Sequence, residues 1–263
     1  MQNKVVIITG ASSGIGKALV YEFAKRGAKI AMGARNLDEL HKIETDLKSR
    51  GVDALSVQTD VTREADCKNL IEKTVERFGK IDILVNNAGI SMRALFEDLE
   101  LDVIRRLMDV NFWGTVYCTK FALPYILKAK GSLVGIISVA GFLGLPGRTG
   151  YSASKFAVRG FLNTLRVENL KKGLHVLVPV FQCCVQKRRH LLCRTAGDFC
   201  RNLHALQAQS DDLFSCVSGC VHAVVPPFVV VFVRPPGQLS VSPPSRRSAR
   251  QYRRTDALPG AAL

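Results

Sequence analysis

Along residues 1–178, short runs of β-branched and aliphatic residues alternate with longer stretches whose apolar positions recur at helical spacing. Lys4–Gly10, Ala28–Ala34, Asp53–Thr59, Ile81–Val85, Gly131–Ser138 and Leu174–Val178 have the length and content of strands, and the first suits a strand buried on both faces. Helices are predicted between them over Lys17–Arg26, Asn36–Arg50, Thr62–Phe78, Leu99–Val110, Phe112–Lys130 and Thr149–Lys172. In the third, Leu70, Ile71, Val75 and Phe78 fall near one face. In the last, Ala157, Phe161 and Leu165 at i, i+4 and i+8 form an apolar stripe for packing or dimerisation. Strict alternation of strand and helix predicts an α/β fold: a doubly wound parallel sheet with right-handed crossovers, layered α/β/α.

The pattern stops at Val178. Residues 1–178 hold 26 Lys+Arg against 18 Asp+Glu, whereas the last 85 residues hold ten Arg, one Lys, four Asp and no Glu. Eight of the ten prolines and six of the eight cysteines also follow Val178. Two compositions are joined here, and the expected division is a domain over 1–178 and an Arg/Pro/Cys-rich, irregular and poorly ordered tail over 179–263. The formal charge of +15 is thus spread over both parts and does not mark a single basic face. An apolar fraction of 47% is ordinary for a globular protein and excludes disorder or a fibrous repeat for the whole chain.

Several polar positions sit where the predicted strands end. Ala11-Ser-Ser-Gly-Ile-Gly16 links the first strand to the first helix, and Gly10, Gly14 and Gly16 let an anion approach backbone N–H groups at the helix N-terminus. A tight turn without ligand has the same spacing. Arg35, in Gly33-Ala-Arg-Asn36, stands where a carboxylate would accept from the 2′-hydroxyl of NAD; a guanidinium there favours a 2′-phosphate, hence NADP(H). Asp60 ends the third strand, where a carboxylate accepts from an adenine amino group, although a surface turn also tolerates Asp. Asn86-Asn-Ala-Gly89 carries two side-chain amides able to satisfy nearby backbone. Asn111, between two helical stretches, predicts a kink or an internal hydrogen bond. Ser138 lies at the carboxyl end of the fifth strand, where open α/β sheets place ligands. Tyr151 and Lys155, four apart on one helix, project from the same face. An ammonium beside a phenol favours phenolate, against a free value of about 10, and makes Tyr151 a candidate proton donor and acceptor.

Taken together, Thr9-Gly-Ala-Ser-Ser-Gly-Ile-Gly16, Asn86-Asn-Ala-Gly89, Asn111, Ser138 and Tyr151-x-x-x-Lys155 resemble the short-chain dehydrogenase/reductase family over residues 3–178. The resemblance implies a Rossmann-type fold. It implies that Gly10, Ser12, Gly14, Ile15 and Gly16 cradle cofactor phosphates, that Asp60 and Val61 flank adenine, and that Asn87, Ala88 and Gly89 line the ribose side. It further implies Tyr151 as acid/base, Ser138 as holder of the substrate oxygen, Lys155 on the nicotinamide ribose and Asn111 supporting a relay water. The implied reaction interconverts a small-molecule carbonyl and alcohol with NADP(H), in a homo-oligomer. Pro179 lacks the glycine that the family places beside it, and the segment that shapes the substrate pocket finds no match, so the substrate is not legible.

Two rival readings follow from the tail: a nucleotide-binding but catalytically silent relative, and a basic interaction protein working through Arg246–Arg254. The break at Val178 resembles a change of reading frame or an unrelated terminal exon. Phe228–Val233, flanked by prolines, could form only a short strand and is far below the ~20 residues of a membrane span. Cys216, Cys220 and His222 lack paired C-x-x-C spacing, so no metal is expected. One Tyr in the basic run offers no stacking platform, so no specific nucleic acid is expected. With only Met1–Lys4 before the first apolar run, a cytoplasmic protein with reduced thiols is the expectation.

Overall fold

The computed structural model describes residues 1–180. The possible strand at Phe228–Val233, the Cys/His set and the Arg246–Arg254 run lie outside the described residues. Six strands, β1 (Val5–Thr9), β2 (Lys29–Ala34), β3 (Ala54–Gln58), β4 (Ile83–Asn86), β5 (Ser132–Gly135) and β6 (His175–Leu177), form one sheet in the order β3-β2-β1-β4-β5-β6. Every pairing is parallel. This is the Rossmann-type doubly wound sheet that the alternation predicted, with the chain reversing its winding between β1 and β4.

The strands read as unbroken apolar runs because both faces are covered. Val6, Ile8, Ile83, Val85 and Val134 enter one core layer, while the intervening Ile7, Leu84 and Leu133 enter the other, the two-residue period of a strand. The first layer packs against α1 (Gly14–Lys25) and α2 (Leu37–Ser49); the second packs against α3 (Glu64–Phe78), α5 (Gly114–Lys128) and α6 (Thr149–Glu168), with α4 (Leu101–Leu107) preceding α5. On α3, Cys67, Leu70, Ile71 and Thr74 are the buried positions, spaced i, i+3, i+4 and i+7. The Asn36 side chain caps α2 by accepting from the Glu39 N–H at 3.0 Å. Gly79 ends α3 in the left-handed region, its N–H donating to Val75 O at 2.7 Å.

At the amino end of the sheet, the buried Asp82 carboxylate is met by Lys4 Nζ at 2.8 Å, Lys80 Nζ at 2.9 Å and the Val5 N–H at 2.9 Å. Burial works to raise its pKa, but the Lys4 and Val5 hydrogen bonds and the Lys80 contact outweigh it and hold the carboxyl below its ordinary value. This ties β1 to β4 at the end remote from the glycine turn.

Two predicted elements take a different form. The break at Asn111 is a π-helical turn over Met108–Trp113 joining α4 to α5. The last helix ends at Glu168, and a 3₁₀ turn at Leu170–Lys172 follows it. The stripe of Ala157, Phe161 and Leu165 is half-buried, with Phe161 edge-on to Phe112 at 6.2 Å, so part of it packs within the chain. No helix among the described residues is long and apolar enough to cross a membrane.

Candidate functional site

Parallel strands deliver all their carboxyl ends to one edge of the sheet, and the polar motifs collect there. The turn after β1 leaves no room for side chains. A Cβ on Gly16 would stand 2.2 Å from Gly10 O and 2.6 Å from Asn87 Nδ2, so only glycine brings the start of α1 this close to β1 and β4. Gly14, in contrast, has φ +55° with nothing within 4 Å of where a Cβ would be. The Ser13 side chain does not cap α1, and its first turn holds no acid. Uncapped N–H groups, a positive helix end and open space fit an anion such as a pyrophosphate. Ser12 and Ile15 are half-buried on either side of this opening, and Ile15 packs on the core.

The segment after β4 is fastened to the same turn. Thr9 Oγ1 accepts from the Asn87 and Ala88 N–H groups at 3.1 and 3.0 Å, and Asn87 Nδ2 donates to Thr9 O at 2.8 Å and Gly10 O at 3.3 Å. Asn86 Nδ2 donates to Thr119 Oγ1 at 3.0 Å. The backbone-satisfying role read from Asn86-Asn87 is thus met by Asn87 alone, since Asn86 bonds a side chain, and Thr9 is a partner that the motif reading passed over. Its position one residue before Gly10 was the available signal.

Around α6, four separate segments meet. Lys155 is buried, and its Nζ donates to Ile136 O at 2.9 Å while lying 5.9 Å from the Tyr151 ring centroid. A Cβ on Gly89 would stand 3.1 Å from Asn111 Oδ1 and 3.4 Å from Lys155 Nζ, which places Gly89, Asn111 and Lys155 in one cluster. Asn111 Oδ1 accepts from the Ile90 N–H at 2.8 Å, and its Nδ2 donates to Ile90 O at 3.0 Å and Ser154 Oγ at 2.9 Å. Ser154 Oγ in turn donates to Tyr151 O at 2.8 Å. These bonds hold the π turn open and pin it to α6, with Thr115 Oγ1 donating back to Asn111 O at 2.8 Å. Ser138 opens a 3₁₀ turn over Val139–Gly141, and Gly141 abuts the Lys155 backbone, its would-be Cβ 3.2 Å from Lys155 O.

Burial alone pulls the Lys155 ammonium down from its ordinary 10.5 to about 8. No carboxylate forms an ion pair with it among the described residues. Only one of its three N–H donors has a described partner, which leaves two for a ligand. Ser138 Oγ accepts from the Ala140 N–H at 3.3 Å, and its own hydroxyl proton has no described acceptor. The Tyr151 hydroxyl makes no hydrogen bond to the described residues either, so both hydroxyls keep a proton to offer.

Arg35 and Asp60 stand apart from this cluster, at the ends of β2 and β3. Arg35 is exposed, and its guanidinium makes no hydrogen bond or ion pair among the described residues. Asp60 accepts from the Thr62 N–H at 3.0 Å and the Thr62 hydroxyl at 2.8 Å. Burial works to raise the Asp60 carboxyl, but the Thr62 hydrogen bonds and the charges of Arg35 and Arg63 bring it below its ordinary value. Val61 is buried against Gly114, where a Cβ would stand 2.8 Å from Val61 Cβ, so its side chain is packing, and its carbonyl accepts from Cys67 Sγ at 3.5 Å.

A family model described as short chain dehydrogenase matches residues 4–185, and the chain belongs to that oxidoreductase family. A relative from Arachis hypogaea, 11-beta-hydroxysteroid dehydrogenase A, is 39% identical over 226 residues, 84% of this chain and 64% of that protein. That match necessarily runs beyond residue 180. From Arabidopsis thaliana, 11-beta-hydroxysteroid dehydrogenase-like 2 is 46% identical over 167 residues, 63% of this chain and 54% of that protein. The chain thus spans between about half and two thirds of the length of these curated relatives. Among solved structures, an alcohol dehydrogenase from the archaeon Thermococcus sibiricus complexed with 5-hydroxy-NADP superimposes with a TM-score of 0.72 at 27% identity, covering 80% of this chain and 93% of that one.

Proposed function

We propose that the chain is an NADP(H)-dependent oxidoreductase interconverting a small-molecule carbonyl and its alcohol, with Tyr151 as acid/base, and that it works as a homo-oligomer. The observation that carries this reading is the buried Lys155 ammonium, fixed on Ile136 O and set beside the Tyr151 ring with donors to spare.

When bound, the dinucleotide supplies or accepts the hydride. Gly10, Ser12, Gly14, Ile15 and Gly16 hold its phosphates, Asp60 and Val61 flank the adenine, and Asn87, Ala88 and Gly89 line the ribose side. Lys155 holds the nicotinamide ribose with its spare donors. In the reductive direction the substrate oxygen gains negative charge. Ser138 donates a hydrogen bond to it and Tyr151 gives it a proton; the reverse direction returns that proton to Tyr151. Asn111, with its amide committed to Ile90 and Ser154, fixes the turn beside Lys155 where a water can pass protons onward. The unpaired Arg35 supports NADP(H) over NAD, since a guanidinium makes forked charge-assisted bonds to a phosphate. The archaeal neighbour's NADP derivative agrees with that choice.

The test is coenzyme binding to the full chain. Wild type is expected to bind NADPH at least about 10-fold more tightly than NADH, and Arg35→Ala to weaken NADPH by about 10- to 100-fold while NADH changes little. Equal affinities in wild type, or equal losses in the variant, would remove Arg35 and the 2′-phosphate from the account.

A further inference from the structure

Arg148 has no part in the reading above, yet it lies beside its central residue. It occupies the position before the first turn of α6, and its guanidinium carbon is 5.8 Å from the Tyr151 ring centroid. One arm donates to the Ser91 hydroxyl on the loop after β4. A second bond joins the same two loops, from the Ala94 N–H to Gly147 O at 3.1 Å. The segments 90–99 and 142–148 are therefore stitched into one rim beside Tyr151.

The chemistry of that rim is specific. Arg148 is half-buried, and no carboxylate pairs with it among the described residues. A guanidinium carries five N–H donors, and Ser91 takes the bond of only one arm. Arg93, on the same rim, is exposed and makes no ion pair among the described residues; its Cγ is 3.7 Å from where a Gly147 Cβ would stand. The acids of that loop, Glu97, Asp98 and Glu100, are exposed and form no ion pair with either arginine. The same two segments also expose apolar side chains: Leu95, Phe96, Phe142, Leu143 and Leu145 are 56%, 61%, 47%, 52% and 39% exposed. A solvated surface arginine needs neither a hydroxyl tether nor a ring beneath it. A half-buried guanidinium tethered beside Tyr151, with no acid pairing it among the described residues and exposed apolar side chains on the same two segments, is suited to an anion carried on an apolar body.

We propose that Arg148 is a specificity-determining residue that selects carbonyl or alcohol substrates bearing an acidic group, a carboxylate or sulfate on an apolar skeleton. The inference rests on Tyr151 as the proton donor, since it places the acid on Arg148 and the carbonyl at the Tyr151 hydroxyl of the same small molecule.

The probe is a pair of compounds, an apolar cyclic ketone carrying a carboxylate a few bonds from the carbonyl and the methyl ester of the same ketone. Calorimetric binding in the presence of saturating NADP⁺, which cannot reduce the ketone, and kcat/KM with NADPH are measured for the full chain and for Arg148→Gln and Arg148→Lys. Wild type is expected to bind the acid about 10- to 100-fold more tightly than the ester. Arg148→Gln is expected to lose that preference while its kcat/KM on the ester stays within about threefold, and Arg148→Lys to restore part of it. An acid-to-ester ratio near one in wild type, or one that is unchanged in Arg148→Gln, overturns the inference; the wild-type ratio decides it even where the Gln variant does not fold. Acid preference in binding without any turnover would keep the anion site and instead defeat the carbonyl reductase reading.

Discussion

Tyr151→Phe is expected to lower kcat/KM by about 1,000-fold while leaving NADPH affinity and thermal stability nearly unchanged. The substitution removes one oxygen and keeps the ring that Arg148 and Lys155 flank at 5.8 and 5.9 Å. The Tyr151 backbone carbonyl continues to accept from Ser154, so the link to Asn111 survives. What is lost is the proton delivered to the substrate oxygen, and a positioned general acid contributes roughly 100- to 10,000-fold. Steady-state NADPH oxidation with a carbonyl substrate reads the loss, and a calorimetric NADPH titration reads the unchanged affinity. A variant retaining activity within threefold would mean that another group donates the proton.

The second large effect falls on Lys155, where function and stability are expected to move in opposite directions. In the folded chain its pKa is lowered to about 8 by burial, against 10.5 for the free side chain. A lysine with a depressed folded value binds its proton more weakly in the native state than in the unfolded one. The native state therefore bears the full cost of the buried charge below about pH 8, and that cost falls as pH rises from about 8 toward 10.5. The separation corresponds to about 3 kcal/mol. Lys155→Met removes the charge but also the hydrogen bond to Ile136 O, worth about 1 kcal/mol. The net expectation is a gain of about 1–2 kcal/mol at pH 7, with the alkaline rise in stability seen in wild type flattened in the variant. Turnover is expected to fall by about 1,000-fold or more. Urea unfolding of both proteins at pH 7 and pH 10 measures the first part. A destabilised Met variant, or the same pH slope in both, would show that Lys155 is not held charged at a cost.

Much of this arrangement could be read from the sequence because it is written in local spacing. Val5–Thr9 and Ile83–Asn86 are apolar at successive positions because each residue has a helix layer to enter, and that continuity separates a doubly covered parallel strand from an amphipathic one. Tyr151 and Lys155 are one turn apart, so their shared face needs no tertiary knowledge. Interactions that cross long stretches of chain were not readable. The π turn at Met108–Trp113 has no residue signature of its own. Asn111 holds it by bonds to Ile90 and Ser154, and nothing local to Asn111 names those partners. Arg148 likewise reads as an ordinary arginine before a helix until Ser91 and the Tyr151 ring are seen around it. The proposal at Arg35 rests on what the position lacks, a carboxylate, and that lack is a feature of the bare sequence.

The most direct test of the proposed chemistry is the single-turnover rate at which a carbonyl substrate oxidises bound NADPH, followed in H₂O and in D₂O. If Tyr151 supplies the proton, the rate is slower in D₂O, and Tyr151→Phe loses that solvent dependence along with most of the rate. A wild-type rate equal in the two solvents, or a solvent effect unchanged in Tyr151→Phe, would contradict proton donation by Tyr151 as the step that completes the reduction.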